Sequence, residues 1–128
     1  MPGAENREDA LERAVEKWRG QSRKGFLELC IMSCIRSAGR TYGFAMLERL
    51  RTAGLDIGEG SMYPLLTRLV REGMLTAAWD TPVEGHARKY YSLSSFGVVF
   101  LERIQVERAG DLATYEAIVA PNAKGEPR

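Results

Sequence analysis

The stretch that decides the fold runs from Glu59 to Leu75 and reads EGSMYPLLTRLVREGML. Met62, Leu65, Leu66, Leu69 and Val70 recur at helical spacing and give the segment one apolar face. Ser61, Tyr63, Thr67, Arg68 and Arg71 are left on the other. Pro64 has no N–H to donate, so it belongs in the first turn of this helix, which must begin between Gly58 and Ser61. Gly73 ends it. Within two residues the pattern changes to Leu75-Thr76-Ala77-Ala78-Trp79 and Lys89-Tyr90-Tyr91-Ser92-Leu93, two short segments with strand character. DTPVEGHAR, rich in turn residues, joins them as an extended hairpin loop.

Upstream, Thr41 is placed to cap a helix from about Tyr42 to Ala53, with Met46, Leu47 and Leu50 inward and Gly54 just past its end. Only a short connection, Leu55 to Gly60, separates it from the decisive helix. Two helices joined tightly and followed by a hairpin make a winged helix-turn-helix, the arrangement that lays its second helix in a DNA major groove. Further out, Lys24 to Ser37 (KGFLELCIMSCIRS) is apolar on nearly every face, as a buried helix must be. Residues Glu5 to Gln21 carry a narrow stripe of Leu11, Ala14, Val15 and Trp18, and Gly20, Gln21 and Ser22 are expected to break that helix from the next. Ser94 caps a last helix whose apolar positions include Val98, Leu101, Ile104, Leu112, Tyr115 and Ile118. Gly110 weakens this helix and Pro121 ends it. The expected fold is mainly α with a small β-hairpin: a winged helix-turn-helix over 23–93, an N-terminal extension helix over 1–22, a C-terminal dimerisation helix over 94–120, and a disordered tail over 121–128.

Composition narrows the function. The chain has 128 residues, 45% hydrophobic and 27% charged, which is one ordinary globular domain and excludes collagenous or wholly disordered chains. No apolar run approaches the ~20 residues that span a bilayer, and the N-terminus lacks a signal-peptide stretch, so a cytoplasmic protein without a membrane partner is expected. Eighteen Lys and Arg against seventeen Asp and Glu leave a net charge of +1, so a nucleic-acid surface must come from placement rather than total. The acidic residues lie mostly in the terminal helices. Arg36, Arg40, Arg49 and Arg51 add positive charge around the second helix, and His86, Arg88 and Lys89 cluster in the hairpin with only Glu84 opposed.

Catalysis finds no support in these residues. A lone histidine, His86, with no nucleophile elbow, phosphate loop or close carboxylate pair assembles no catalytic site, and no cofactor is implied. Cys30 and Cys34, four apart in an apolar stretch, lack the further ligands of a metal site and read as buried free thiols.

Three runs carry a resemblance: YGFAMLERL (Tyr42 to Leu50), EGSMYPLLTRLVREGML, and ARKYYSLSSFG (Ala87 to Gly97). Together, in this order and spacing, they resemble the phenolic-acid-decarboxylase-regulator (PadR-like) family of transcription factors, over about Lys24 to Ile104. The resemblance implies a homodimeric winged-helix protein, usually a repressor, with double-stranded operator DNA of inverted-repeat form as partner. The DNA-binding set on this reading is Tyr42, Ser61, Met62, Tyr63, Thr67, Arg68, Arg71, His86, Arg88 and Lys89. The dimerisation set is Leu11, Val15, Trp18, Leu101, Ile104, Leu112, Tyr115 and Ile118. Some family members bind flat aromatic compounds at the dimer interface, which makes a small aromatic effector the ligand class to expect. The tryptophan that stacks such compounds in the multidrug type aligns here with Arg108, while Trp18 reaches the same region from the N-terminal helix. A second class stays open: a winged-helix ligand- or protein-binding module without sequence-specific DNA binding, which the near-zero net charge favours.

Overall fold

A computed structural model describes residues 6–121. The element order is α1 (Arg7–Ala38), β1 (Thr41–Tyr42), α2 (Gly43–Thr52), α3 (Glu59–Arg71), β2 (Leu75–Asp80), β3 (Arg88–Leu93) and α4 (Ser95–Val119). This is the expected winged helix-turn-helix between two long helices. The tail expected to be disordered lies outside the described residues, Pro121 excepted.

The first difference from expectation is α1, one unbroken helix of 32 residues with no interruption at Gly20-Gln21-Ser22. Each feature that argues for a break is offset locally. The Asn6 side chain caps the start by accepting from the Asp9 N–H at 2.8 Å, Glu8 and Asp9 stand in the first turn, and Arg19 pairs back to Glu16. Ser22 turns its hydroxyl onto the carbonyls of Trp18 and Arg19 instead of opposing the helix. One exposed glycine costs only about 1 kcal/mol, which the core-anchored half of α1 absorbs.

The second difference is that Thr41 does not cap α2. It is buried and belongs to β1, which pairs antiparallel with β3 through Thr41 opposite Tyr91 and Tyr42 opposite Tyr90. The hairpin thus becomes a three-stranded sheet in the order β1-β3-β2, and the cap position passes to Tyr42, whose side chain makes no capping bond. A third, smaller difference concerns Pro64, which lies in the second turn of α3 rather than the first; the carbonyl of Gly60 therefore receives no i+4 bond, on the exposed side of the helix.

The core lies where α1, α2 and α3 meet the sheet. Ile31, Met32 and Ile35 of α1, Met46 of α2, Met62, Leu66 and Leu69 of α3, and Leu101 of α4 are fully buried in it. The start of α4 is locked to the start of the wing. Ser94 caps α4 by accepting from the Gly97 N–H at 2.9 Å, its own N–H donates to the Met74 carbonyl at 3.0 Å, and its hydroxyl sits 2.5 Å from the Gly73 carbonyl. Gly97 is required there, because a Cβ would stand 1.9 Å from the Met74 carbonyl oxygen.

That obstacle is backbone, so no rotamer change can relieve it. Gly97→Ala is expected to lower stability by at least about 2 kcal/mol in urea denaturation at fixed protein concentration. Gly25→Ala, where nothing lies within 4 Å of the new Cβ, is expected to raise stability by about 0.5–1 kcal/mol. Equal midpoints for the two variants would contradict this packing.

Candidate nucleic-acid interface

The apolar stripe of α3 points Met62, Leu66 and Leu69 into the core, so Gly60, Tyr63, Pro64, Thr67 and Arg71 face outward. Two surfaces flank this outward face. On the wing side, Tyr42, Phe44, Tyr63, Thr67, Trp79 and Lys89 line a cleft of about 620 Å³, which Arg88 also borders. On the α1 side, Arg23 and Lys24 of α1 face Ser61, Arg68 and Arg71 of α3 across a groove of about 570 Å³.

Sheet geometry explains the wing side. Successive residues of β3 point to opposite faces, and Trp79 stands directly across from Lys89. With Tyr91 buried, Lys89 and Trp79 share the face turned toward α3. Arg88 and Tyr90 take the other face, where the Arg88 guanidinium lies 4.4 Å from the Tyr42 ring centre and Arg40 lies 4.0 Å from that of Tyr90. The two rings meet edge to face at 5.4 Å. This alternating stack of cations and rings, closed by the Arg40–Asp80 ion pair at 3.4 Å, fixes the base of the wing. His86 stands exposed in the wing loop, beside a shallow recess that includes Glu84 and Arg88.

Tyr63 is set by glycine. A Cβ on Gly43 would lie 2.2 Å from the Tyr63 hydroxyl, so the phenol rests directly on the α2 backbone while the residue as a whole remains 40% exposed. Thr67 returns its hydroxyl to the Tyr63 carbonyl at 3.0 Å and keeps its acceptor lone pairs outward.

Two residues of the expected DNA-binding set are placed otherwise. Met62 is fully buried, because it shares the helical phase of Leu66 and Leu69, and it offers DNA nothing. Arg68 turns to α1: Nη1 donates to Glu72 at 2.8 Å, and Nη2 lies 3.4 Å from Glu28 without hydrogen-bond alignment. Burial works against its charge, but the two carboxylates outweigh that and hold its pKa above the ordinary arginine value. Arg68 is therefore a clamp between α3 and α1 rather than a base reader. The arginines around α2 are likewise engaged: Arg36 with Glu102, Arg40 with Asp80, Arg49 with Ser37, and Arg51 with the Ile57 carbonyl. Among the described residues, Arg71, Arg88 and Lys89 make no ion pair. Phe44 and Trp79, 63% and 67% exposed at the cleft, were not in the expected set. An apolar side chain at a helix start or strand end reads as core in a sequence, and only the fold shows it facing out.

The sequence profile described as "Transcriptional regulator PadR-like family" matches residues 31–103, from the core half of α1 to the first turns of α4. The chain belongs to the PadR-like family of transcriptional regulators. A PadR-like transcription factor from Bacteroides fragilis is similar at 34% identity and TM-score 0.70, over 80% of this chain and 99% of that one. A PadR-like regulator from Bacillus cereus is 30% identical at TM-score 0.70, over 80% and 99%. A PadR-family regulator from Eggerthella lenta is 26% identical at TM-score 0.77, over 88% and 98%. A search of curated proteins returns no match. PadR-like proteins are DNA-binding regulators of transcription, and the profile spans both helices of the motif and the wing. No helix among the described residues is long and apolar enough to cross a membrane.

Burial pushes the Cys30 and Cys34 thiols above their ordinary range, opposed at Cys30 by Arg108 and Arg23, so both stay protonated at neutral pH. No metal-holding cluster occurs among the described residues.

The Arg68 clamp has a measurable consequence. Arg68→Ala leaves Glu28, itself mostly buried, without its cation, and is expected to destabilise the protein by about 1–3 kcal/mol in thermal or urea unfolding. Base preference on DNA is expected to stay unchanged. Altered preference with unaltered stability would return Arg68 to the reading surface.

Proposed function

We propose that the protein is a homodimeric repressor that binds an inverted-repeat operator through α3 and the wing. The observation that carries this reading is the cleft between α3 and the wing, where Tyr63 and Thr67 face Lys89 and Trp79 and where Arg88 and Lys89 are free of ion pairs. Hydroxyl groups on α3 beside unpaired cations on the wing suit phosphates and base edges. The DNA-binding set becomes Tyr42, Ser61, Tyr63, Thr67, Arg71, His86, Arg88 and Lys89, with Phe44 and Trp79 added. The DNA-binding unit on this reading is residues 23–93, and its first helix continues without a break from the extension. A repressor of this kind works in the cytoplasm, where its operator is.

Dimerisation rests on α4 and the first half of α1. Leu101 leaves the dimerisation set, since it is fully buried within its own protomer, and Ile104 is half-buried beside it. Beyond Ile104 every described residue of α4 is exposed, including Leu112, Tyr115 and Ile118, the last at 74%. Leu11, Val15 and Trp18 repeat this on α1, with Trp18 at 66%. Burying each large apolar side chain is worth about 1.5–3 kcal/mol, so a second copy that covers this set stabilises both. A small aromatic effector fits the same region. Trp18, Phe26, Arg108 and Tyr115 line an α1–α4 cleft of about 1030 Å³, in which Arg108 lies 4.5 Å from the Phe26 ring centre.

Two measurements check this reading. Leu112→Glu with Ile118→Glu is expected to sediment as a folded monomer, because neither side chain belongs to the protomer core; a dimer at micromolar concentration would contradict it. Arg88→Ala with Lys89→Ala is expected to weaken binding to a duplex from the protein's own promoter. It should also flatten the plot of log affinity against log salt by up to about 4, two contacts per protomer. An unaltered slope in a folded variant would remove the wing from the interface.

A further inference from the structure

The groove on the far side of α3 from the wing has no assignment in the motif. Its α1 wall is Arg23 and Lys24, its α3 wall is Ser61 and Arg71, and Arg68 forms the floor with its charge spent on Glu28 and Glu72. Arg23 is held in place by donating to the Asp56 carbonyl. Lys24 is exposed, and among the described residues Arg23, Lys24 and Arg71 have no carboxylate within ion-pair distance. The residue one turn before Lys24 is Gly20, with nothing within 4 Å of its Cβ position, so this wall of the groove stays open.

Three unneutralised cations along one flank of a helix that enters a major groove face the sugar–phosphate strand bordering that groove. We infer that α1 takes part in DNA binding, with Lys24, supported by Arg23, contacting the phosphate backbone on the side of α3 opposite the wing. The recognition helix is then straddled by two phosphate clamps, Arg88 and Lys89 on one strand and Lys24 on the other. This inference rests on the proposed DNA-binding reading. It adds to that reading a segment of α1 outside both the helix-turn-helix and the part of the chain matched by the family profile, which begins at residue 31. The contact carries no base information, so its contribution is affinity and register.

The test uses full-length protein and two labelled duplexes of about 30 base pairs, one from the protein's own promoter and one of scrambled sequence. Affinity is measured by fluorescence anisotropy across a salt series. Lys24→Ala is expected to weaken both duplexes alike and to lower the salt slope by about 2 per dimer, one contact from each protomer. Lys24→Arg is expected to restore the slope, and melting temperatures of both variants should match the parent because Lys24 lies outside the core. A parent-like slope for Lys24→Ala, while the Arg88→Ala, Lys89→Ala variant shows its loss, overturns the α1 contact and leaves the wing reading intact. A loss confined to the promoter duplex overturns the phosphate role. A parent protein that binds neither duplex removes the DNA reading, and this inference with it.

Discussion

The contact between the Met74 carbonyl and Gly97 is the constraint on which the rest of the structure depends. It joins the end of α3, the start of the wing and the first turn of α4 at one point, with no side chain between the two backbones. Ser94 completes the junction by accepting from α4 while its hydroxyl and N–H address the carbonyls of Gly73 and Met74. A junction of backbone atoms has no rotamers to absorb motion. The direction in which α4 leaves the domain is therefore set by the same atoms that set the direction of the wing. In a two-fold dimer built on α4, the separation of the two recognition helices follows from this angle, and half-site spacing becomes a geometric property of the protomer.

The recognition helix is held from two sides by unlike forces. Toward α2 the hold is steric, with the Tyr63 phenol resting on Gly43 where any Cβ would collide. Toward α1 it is electrostatic, with Arg68 between Glu28 and Glu72. The two together fix rotation about the helix axis, which decides that Thr67 and Arg71 face outward. This division of labour also resolves the near-zero net charge. Arginines at 36, 40, 49, 51 and 68 are held by oxygen partners, while among the described residues Arg71, Arg88 and Lys89 meet no carboxylate, Arg88 and Lys89 resting on tyrosine rings. A basic surface needs few residues when many of the acidic ones sit in structural pairs or in the terminal helices.

Much of this was legible in the sequence because it depends on local rules. The 3.6-residue period of α3, the Ser94 cap, the glycine stops and the hairpin turn residues each act within a few positions, and all agree with one topology. What was not legible depends on distant partners. Thr41 looked like a cap because its strand role needs Tyr91, fifty residues on. Arg68 looked solvent-facing because Glu28, forty residues back, supplies its partner. Met62 differs: its spacing to Leu66 and Leu69 places it inside, although its motif neighbours Ser61 and Tyr63 face out. Leu101 was assigned to a partner subunit because a helix sequence does not reveal where its own domain stops covering it. The continuity of α1 was obscured by reading Gly20 as a stop, although a glycine ends a helix only when the chain also reverses, as it does at Gly39 with φ of 79°.

That continuity matters for regulation on the proposed reading. The effector cleft is bordered on α1 by Trp18 and Phe26, and the Arg68 clamp meets the same helix at Glu28, within one further turn of Phe26. Between Phe26 and Glu28 no glycine, proline or inserted group interrupts α1, so this short stretch moves as one piece. On the proposed reading, a ligand that wedges Phe26 of α1 from Arg108 of α4 moves Glu28 with it. Arg68 must then follow or leave Glu28 behind in a mostly buried site. Either response shifts the Arg68 hold on α3, whose other hold is the contact of Tyr63 with Gly43. On that reading, the two holds that orient α3 connect the dimer region to the surface proposed for DNA.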